Sequence, residues 1–281
     1  GVGVKNGINW NGRKNFLGCF APPAAVVNDI DLLRTLPPRE RRAGLAEAVK
    51  VALIHDAAFF VELERDRAEL ALGTEDATER AIRRCAALHL NHIATGGDPF
   101  ELGSARPLDF GHWSAHRLEE MTAGGLRHGE AVAIGMALDA GYACRAGLLS
   151  QDEHGRILTL IAGLGLPLCH PELLRLDVPA ALASFREHLG GELTITLPRG
   201  IGRGIEVHDI DTDAVRACIA DLASIPGAGG AAGARSLARG GSHVADPLPT
   251  VRRGGSPGVL PREPLACARA GSLLGPAGPE P

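Results

Sequence analysis

No apolar run in the 281-residue sequence approaches the roughly 18 residues that a membrane-spanning helix needs, and no basic segment leading into a hydrophobic stretch opens it. Neither a membrane span nor a signal peptide is indicated, and a cytoplasmic location is the expectation. Cysteine is sparse as well: Cys19, Cys85, Cys144, Cys169, Cys218 and Cys267 are scattered, with no Cys-x-x-Cys pair. That spacing speaks against a disulfide framework or a thiolate metal site and fits reduced thiols. Charge of one sign is also lacking, since 33 acidic residues stand against 29 basic ones for a net charge of -4. No electrostatic footprint for nucleic acid or an anionic membrane results, and the expected partner is a small molecule. Missing too is the Gly-x-Gly-x-x-Gly turn that precedes a helix and is followed about twenty residues on by an acidic residue, the mark of a dinucleotide-binding fold.

What is present is enough apolar residue, 45%, to bury a substantial core. Residues 1–36 mix turn formers with the apolar run Ala24 to Val27, which reads as loop, short strand, loop. From Arg39 the pattern changes to helical spacing, good helix formers and no proline as far as Leu72. Further helices are predicted over Thr78–His92, Phe110–Met121 and Gly129–Leu149. The last is rich in Ala and Gly and almost free of charge in its middle, as a buried helix with close neighbours would be. Alternation at ELTITL, a PRGIGRG turn and a returning IEV signal a hairpin, and Thr212–Leu222 reads as a final helix capped by Asp211 or Thr212. The fold class expected is mainly α with a small β-hairpin. Beyond about residue 223 there is no aromatic residue and no lysine, with Gly and Pro throughout, so residues 223–281 are expected to be a disordered tail.

The densest chemistry lies in DFGHWSAHRLEEMTAGGLRHGEAV, which places His112, His116 and His128 in one short stretch. His112 and His116, four apart on a helix, share a face and can meet one ion or one substrate. An HxxxH spacing is a weak signal, since histidines also cap helices and make ordinary hydrogen bonds. Glu47 and Lys50 are the second oddity, two charges three apart in a small, apolar surround. They read either as an exposed ion pair of little worth or as a carboxylate offered to a divalent ion whose nitrogen ligands are two of the three histidines.

The segments AGLAEAVKVALI, LDFGHWSAH and LRHGEAVAIGM, in that order, resemble the motif series of 3-dehydroquinate synthase and its relatives, the sugar phosphate cyclases, and GVKNGINWNGRKNFLGCFAPP resembles the stretch that precedes it there. The likeness runs in register from about residue 1 to 222. It implies that residues 1–36 close the nucleotide-binding α/β domain, that 37–222 form the helical metal- and substrate-binding domain, and that the rest of the nucleotide domain belongs upstream of Gly1. It implies Glu47, His112 and His128 as ligands of zinc or cobalt, Lys50 as a substrate-binding residue beside the metal, and His116 as a substrate contact that assists proton transfer. Lys5, Lys14 and Asn15 match residues lining the phosphate pocket, Arg106 matches a substrate-binding arginine, and Asp109 stands within the catalytic motif. The implied activity is a metal- and NAD-dependent lyase reaction on a sugar phosphate that eliminates phosphate and closes a carbocycle, in an enzyme that is usually a homodimer. The competing reading is a truncated, inactive remnant that keeps the metal-binding fold.

The sequence departs from dehydroquinate synthases at several points. Asp109 replaces an Asn, and lysines that help hold a substrate carboxylate give way to His89 and to residues of FREHLGG. Less fixed positive charge disfavours a carboxylated substrate. Asp-Phe-Gly-His-Trp is similar to cyclases acting on sedoheptulose 7-phosphate, whereas FREHLGG and GIGRGIEVHDID are similar to the Ebo-type branch.

Overall fold

A computed structural model describes residues 7–10, 13–19, 21, 24–95 and 108–228. Strands β1 (Gly7–Trp10) and β2 (Arg13–Gly18) pair antiparallel, with Trp10 opposite Arg13 and an irregularity between Ile8 and Trp10. The strand expected at Ala24–Val27 is not formed; Val27 is 89% exposed, and no described strand lies beside it to complete its hydrogen bonds. A 3-10 turn at Ile30–Thr35 leads into the helices.

The helical stretch expected from Arg39 to Leu72 forms three helices: α1 (Pro38–His55), α2 (Ala57–Arg65) and α3 (Arg67–Leu72). Asp56 breaks the first from the second by turning extended and accepting the Phe59 amide at 3.1 Å as an N-cap, and Arg84 ties its other oxygen to α4 (Glu75–Thr95). A capping aspartate inside an apolar period leaves no proline or glycine to betray the break. The helices α5 (His112–Met121) and α6 (His128–Arg145) fall where expected, though α6 stops four residues short of Leu149, just before Gly147 turns left-handed. Two further helices, α7 (Gln151–Gly163) and α8 (Val178–His188), occupy a stretch without a predicted element. The Ser150 and Glu153 capping box starts one, and Asp177 caps the other. The predicted hairpin forms as β3 (Ile195–Pro198) and β4 (Gly204–Val207), and α9 (Thr212–Ser224) starts at its Asp211 cap.

The ordered chain continues past the boundary expected at residue 222: Ala228 is buried, and its carbonyl accepts the amides of Leu168 and Cys169 at 2.8 and 3.2 Å. The remainder of the expected tail lies outside the described residues. No described helix is long and apolar enough to cross a membrane.

At the centre stands α6, nearly wholly buried and packed on α1, α5, α7 and α9. Burying side chains such as Ile134, Met136 and Leu138 is worth about 1.5–3 kcal/mol each. Two glycines set how closely its neighbours approach. A Cβ on Gly129 would lie 1.9 Å from the Ala43 carbonyl oxygen of α1, and one on Gly135 would lie 2.0 Å from the Gly111 carbonyl oxygen at the start of α5. No side chain fits at either crossing, so α1, α5 and α6 converge backbone to backbone at one end.

Candidate metal centre

That convergence brings Glu47 of α1, His112 of α5 and His128 of α6 together, with one donor atom from each lying within 4.8 Å of the others. Glu47 stands one helical turn beyond Ala43, His128 directly precedes Gly129, and His112 directly follows Gly111. Each donor therefore sits beside one of the close backbone contacts, which fixes its position with little play.

The imidazoles are oriented from behind. The Nδ1 of His112 lies 3.0 Å from the Phe110 carbonyl, which makes that nitrogen the protonated donor and leaves Nε2 as a free lone pair. His128 Nδ1 lies 3.1 Å from Oε2 of Glu119 on α5, the carboxylate-histidine pairing that commonly supports a metal ligand. Glu119 is a residue that sequence reasoning missed. Its signal was there, since 112, 116 and 119 follow the i, i+4, i+7 spacing of one helix face.

Electrostatics favour ligands in their coordinating states. Burial, and next the Lys50 ammonium, lower His112 to about 3, so the ring is neutral at ordinary pH. Burial by itself would raise Glu47, but Lys50, through its charge and its hydrogen bond, together with His112 and His128, brings it below the usual carboxylate value. The Lys50 Nζ stands 2.8 and 3.0 Å from the two Glu47 oxygens. Lys50 is 4% exposed, whereas the Glu47 side chain keeps 47% of its surface open, so the pair is a buried cation holding a partly open carboxylate, not two solvated charges. Two imidazoles and one carboxylate suit zinc or cobalt in composition, and three protein donors leave room for a further oxygen ligand.

His116 stands one turn along α5, its ring 5.5 Å from that of His112 and 6.4 Å from that of His128. Asp109 is tied to β3, its Oδ1 accepting the Thr196 hydroxyl at 2.9 Å. Lys14 and Asn15 lie on β2, where only the backbone is described, and Lys5 and Arg106 lie outside the described residues. His89 lies on α4 near His55 and His92, whose rings are 5.3 Å apart. Cysteine adds nothing to the centre: burial raises Cys85 to about 11 and Cys218 to about 12, so neither offers a thiolate.

Comparison with known proteins identifies the family. The family model for the 3-dehydroquinate synthase C-terminal domain matches residues 44–187, and that for its N-terminal domain matches residues 1–43. Among solved structures, ValA, the 2-epi-5-epi-valiolone synthase of Streptomyces hygroscopicus subsp. jinggangensis 5008 with NAD+ and Zn2+ bound, is 36% identical over 79% of this chain, with a TM-score of 0.69. A 2-deoxy-scyllo-inosose synthase complexed with carbaglucose-6-phosphate, NAD+ and Co2+ shares the fold at 23% identity over 78% of the chain, with a TM-score of 0.61. The chain spans 62% of the length of each of these two relatives. By the match over residues 44–187, the chain belongs to the 3-dehydroquinate synthase family, among the sugar phosphate cyclases.

Proposed function

We propose that this chain supplies the metal- and substrate-binding half of an NAD-dependent sugar phosphate cyclase, with Glu47, His112 and His128 holding a zinc or cobalt ion. The observation that carries the reading is the convergence of these three donors, each backed by its own partner, in a chain of this family. The valiolone synthase, with NAD+ and Zn2+ bound, supports the same cofactors here.

When bound, a divalent ion supplies Lewis acidity that lowers the pKa of a hydroxyl it holds. Around it, Lys50 is proposed to keep Glu47 ionised and to offer its ammonium to a substrate oxygen, and His116, whose ring lies 5.5 Å from that of His112, is proposed to assist proton transfer. Elimination removes a carbon-bound proton while the carbon-oxygen bond to phosphate breaks, the phosphate leaving with the bonding electrons. Lys5, Lys14, Asn15 and Arg106 are proposed to hold that phosphate, and Asp109 to shape the substrate pocket. The sequence carries no dinucleotide fingerprint, so NAD chemistry is assigned to the whole cyclase and not to these residues.

Substrate choice follows from charge. With Asp109, His89 and FREHLGG where dehydroquinate synthases have an Asn and lysines, we assign a ketose phosphate without a carboxylate, of the sedoheptulose 7-phosphate kind. The likeness to a valiolone synthase supports that assignment over a carboxylated heptulosonate phosphate. Zinc titration of this chain by calorimetry is expected to show binding that Glu47→Ala weakens 10-fold or more. Turnover by this chain on its own is not expected, because hydride must leave and return to the same carbon from NAD held beside it. In a protein that also carries the nucleotide-binding half, NAD-dependent phosphate release should be faster from sedoheptulose 7-phosphate. Faster release from the carboxylated sugar would overturn the substrate assignment, and zinc binding unchanged in Glu47→Ala would overturn the metal centre.

A further inference from the structure

The helix that carries His128 also grips the turn that carries His112. On α6, residues 128, 135 and 139 follow the i, i+7, i+11 spacing of one stripe. His128 opens the stripe, Gly135 meets the Gly111 carbonyl, and Asp139 closes it. Asp139 is 2% exposed, and its carboxylate accepts from the two residues flanking His112: the Gly111 amide at 3.1 Å and the Trp113 indole Nε1 at 2.8 Å. Gly111 is held in the left-handed region at φ 78°, a conformation that the hydrogen bond from its N–H to Asp139 fixes from one side and the Gly135 contact from the other.

We propose that Asp139 is a positioning residue for the metal centre: by binding the residues before and after His112, it aims that imidazole and sets its separation from His128. This rests on the reading of Glu47, His112 and His128 as metal ligands. The chemistry explains why the residue is an aspartate. Both partners are donors, and a carboxylate is the side chain of that size that accepts on both oxygens; an amide would satisfy one and turn an N–H toward the other. Burial raises the Asp139 carboxyl, while the bonds from Trp113 and Gly111 pull it back down, so these two donors are what favour the carboxylate at this buried position. An acid in the middle of an otherwise apolar, fully packed helix is thus explained by the turn it holds.

The test uses the full chain with cobalt(II) as the probe, reading affinity and the visible ligand-field spectrum alongside metal-free thermal unfolding. For Asp139→Asn we expect a roughly 10-fold weaker affinity and an altered spectrum, with a cooperative metal-free transition retained. Trp113→Phe, which removes only the indole donor, should weaken cobalt binding in the same direction. The double variant should lose less than the two single losses combined, because both act through one contact. His112→Ala separates the two claims. If it leaves cobalt affinity unchanged, the metal reading itself fails. If it abolishes binding while Asp139→Asn and Trp113→Phe keep the wild-type affinity and spectrum, the positioning role alone is refuted. Should Asp139→Asn not fold, Trp113→Phe decides, an unchanged spectrum and affinity counting against the proposal.

Discussion

Gly129→Ala tests the architecture of the centre with one methyl group. The added Cβ would lie 1.9 Å from the Ala43 oxygen and 2.6 Å from its carbonyl carbon, both backbone atoms, so α1 and α6 must part by about 1 Å before the contact reaches the 3.0 Å that real Cβ atoms respect. Overpacking of this kind costs about 1–3 kcal/mol, and alanine's better helix propensity returns at most about 1 kcal/mol. Function should suffer more than stability. The parting occurs one turn from Glu47 and one residue from His128, and metal-ligand distances tolerate only about 0.2 Å, so zinc affinity should fall at least 10-fold. Gly44→Ala is the matched control, since nothing lies within 4 Å of its would-be Cβ. It should stabilise α1 by about 0.5–1 kcal/mol and leave zinc binding alone. Urea unfolding of the metal-free chain with calorimetric zinc titration reads both effects. A Gly129→Ala chain with parental stability and zinc affinity would refute the close crossing of α1 and α6.

Three further outcomes are expected. Glu119→Gln should weaken zinc binding by about 10-fold without destabilising the fold, because it removes the charged partner of His128 Nδ1; unchanged affinity in calorimetry would show that the pairing is incidental. His112 titrates at about 3 in the folded, metal-free chain against 6.5 for a free imidazole, so between those values the unfolded chain holds a proton that the folded site refuses. Stability should therefore decline as pH falls below about 6.5, and His112→Ala should remove that part of the slope in pH-resolved urea melts. Arg39 bonds Glu130 at two points, 2.7 and 2.6 Å, joining the starts of α1 and α6. Since the arginine is about half exposed, Arg39→Ala should cost only about 1 kcal/mol in the same melts, and a larger loss would mean the pair is less screened than described.

The helices around the centre were legible wherever apolar period and cap signals agreed, as in α6 and in α9 behind Asp211. Their breaks went unread where a side chain overrode the period: Asp56 ends one helix and starts another inside an unbroken run. At the site, the HxxxH spacing put His112 and His116 on one face, and the likeness to the cyclase motifs marked Glu47 and His128 as partners. What spacing could not supply was the distance between α1 and α6, because that depends on a glycine meeting a carbonyl from another helix. Gly129 reads in sequence as a small residue at a helix start, and only the Ala43 contact gives it meaning. Asp139 was hidden in the same way, as one acid in GMALDAGYA whose partners lie 26 and 28 residues back.

The most direct test of the central claim is anomalous diffraction at the zinc edge from crystals of the zinc-loaded chain. One strong peak bounded by Glu47, His112 and His128 is expected. A peak elsewhere, such as between His55 and His92, with the triad vacant, would contradict it.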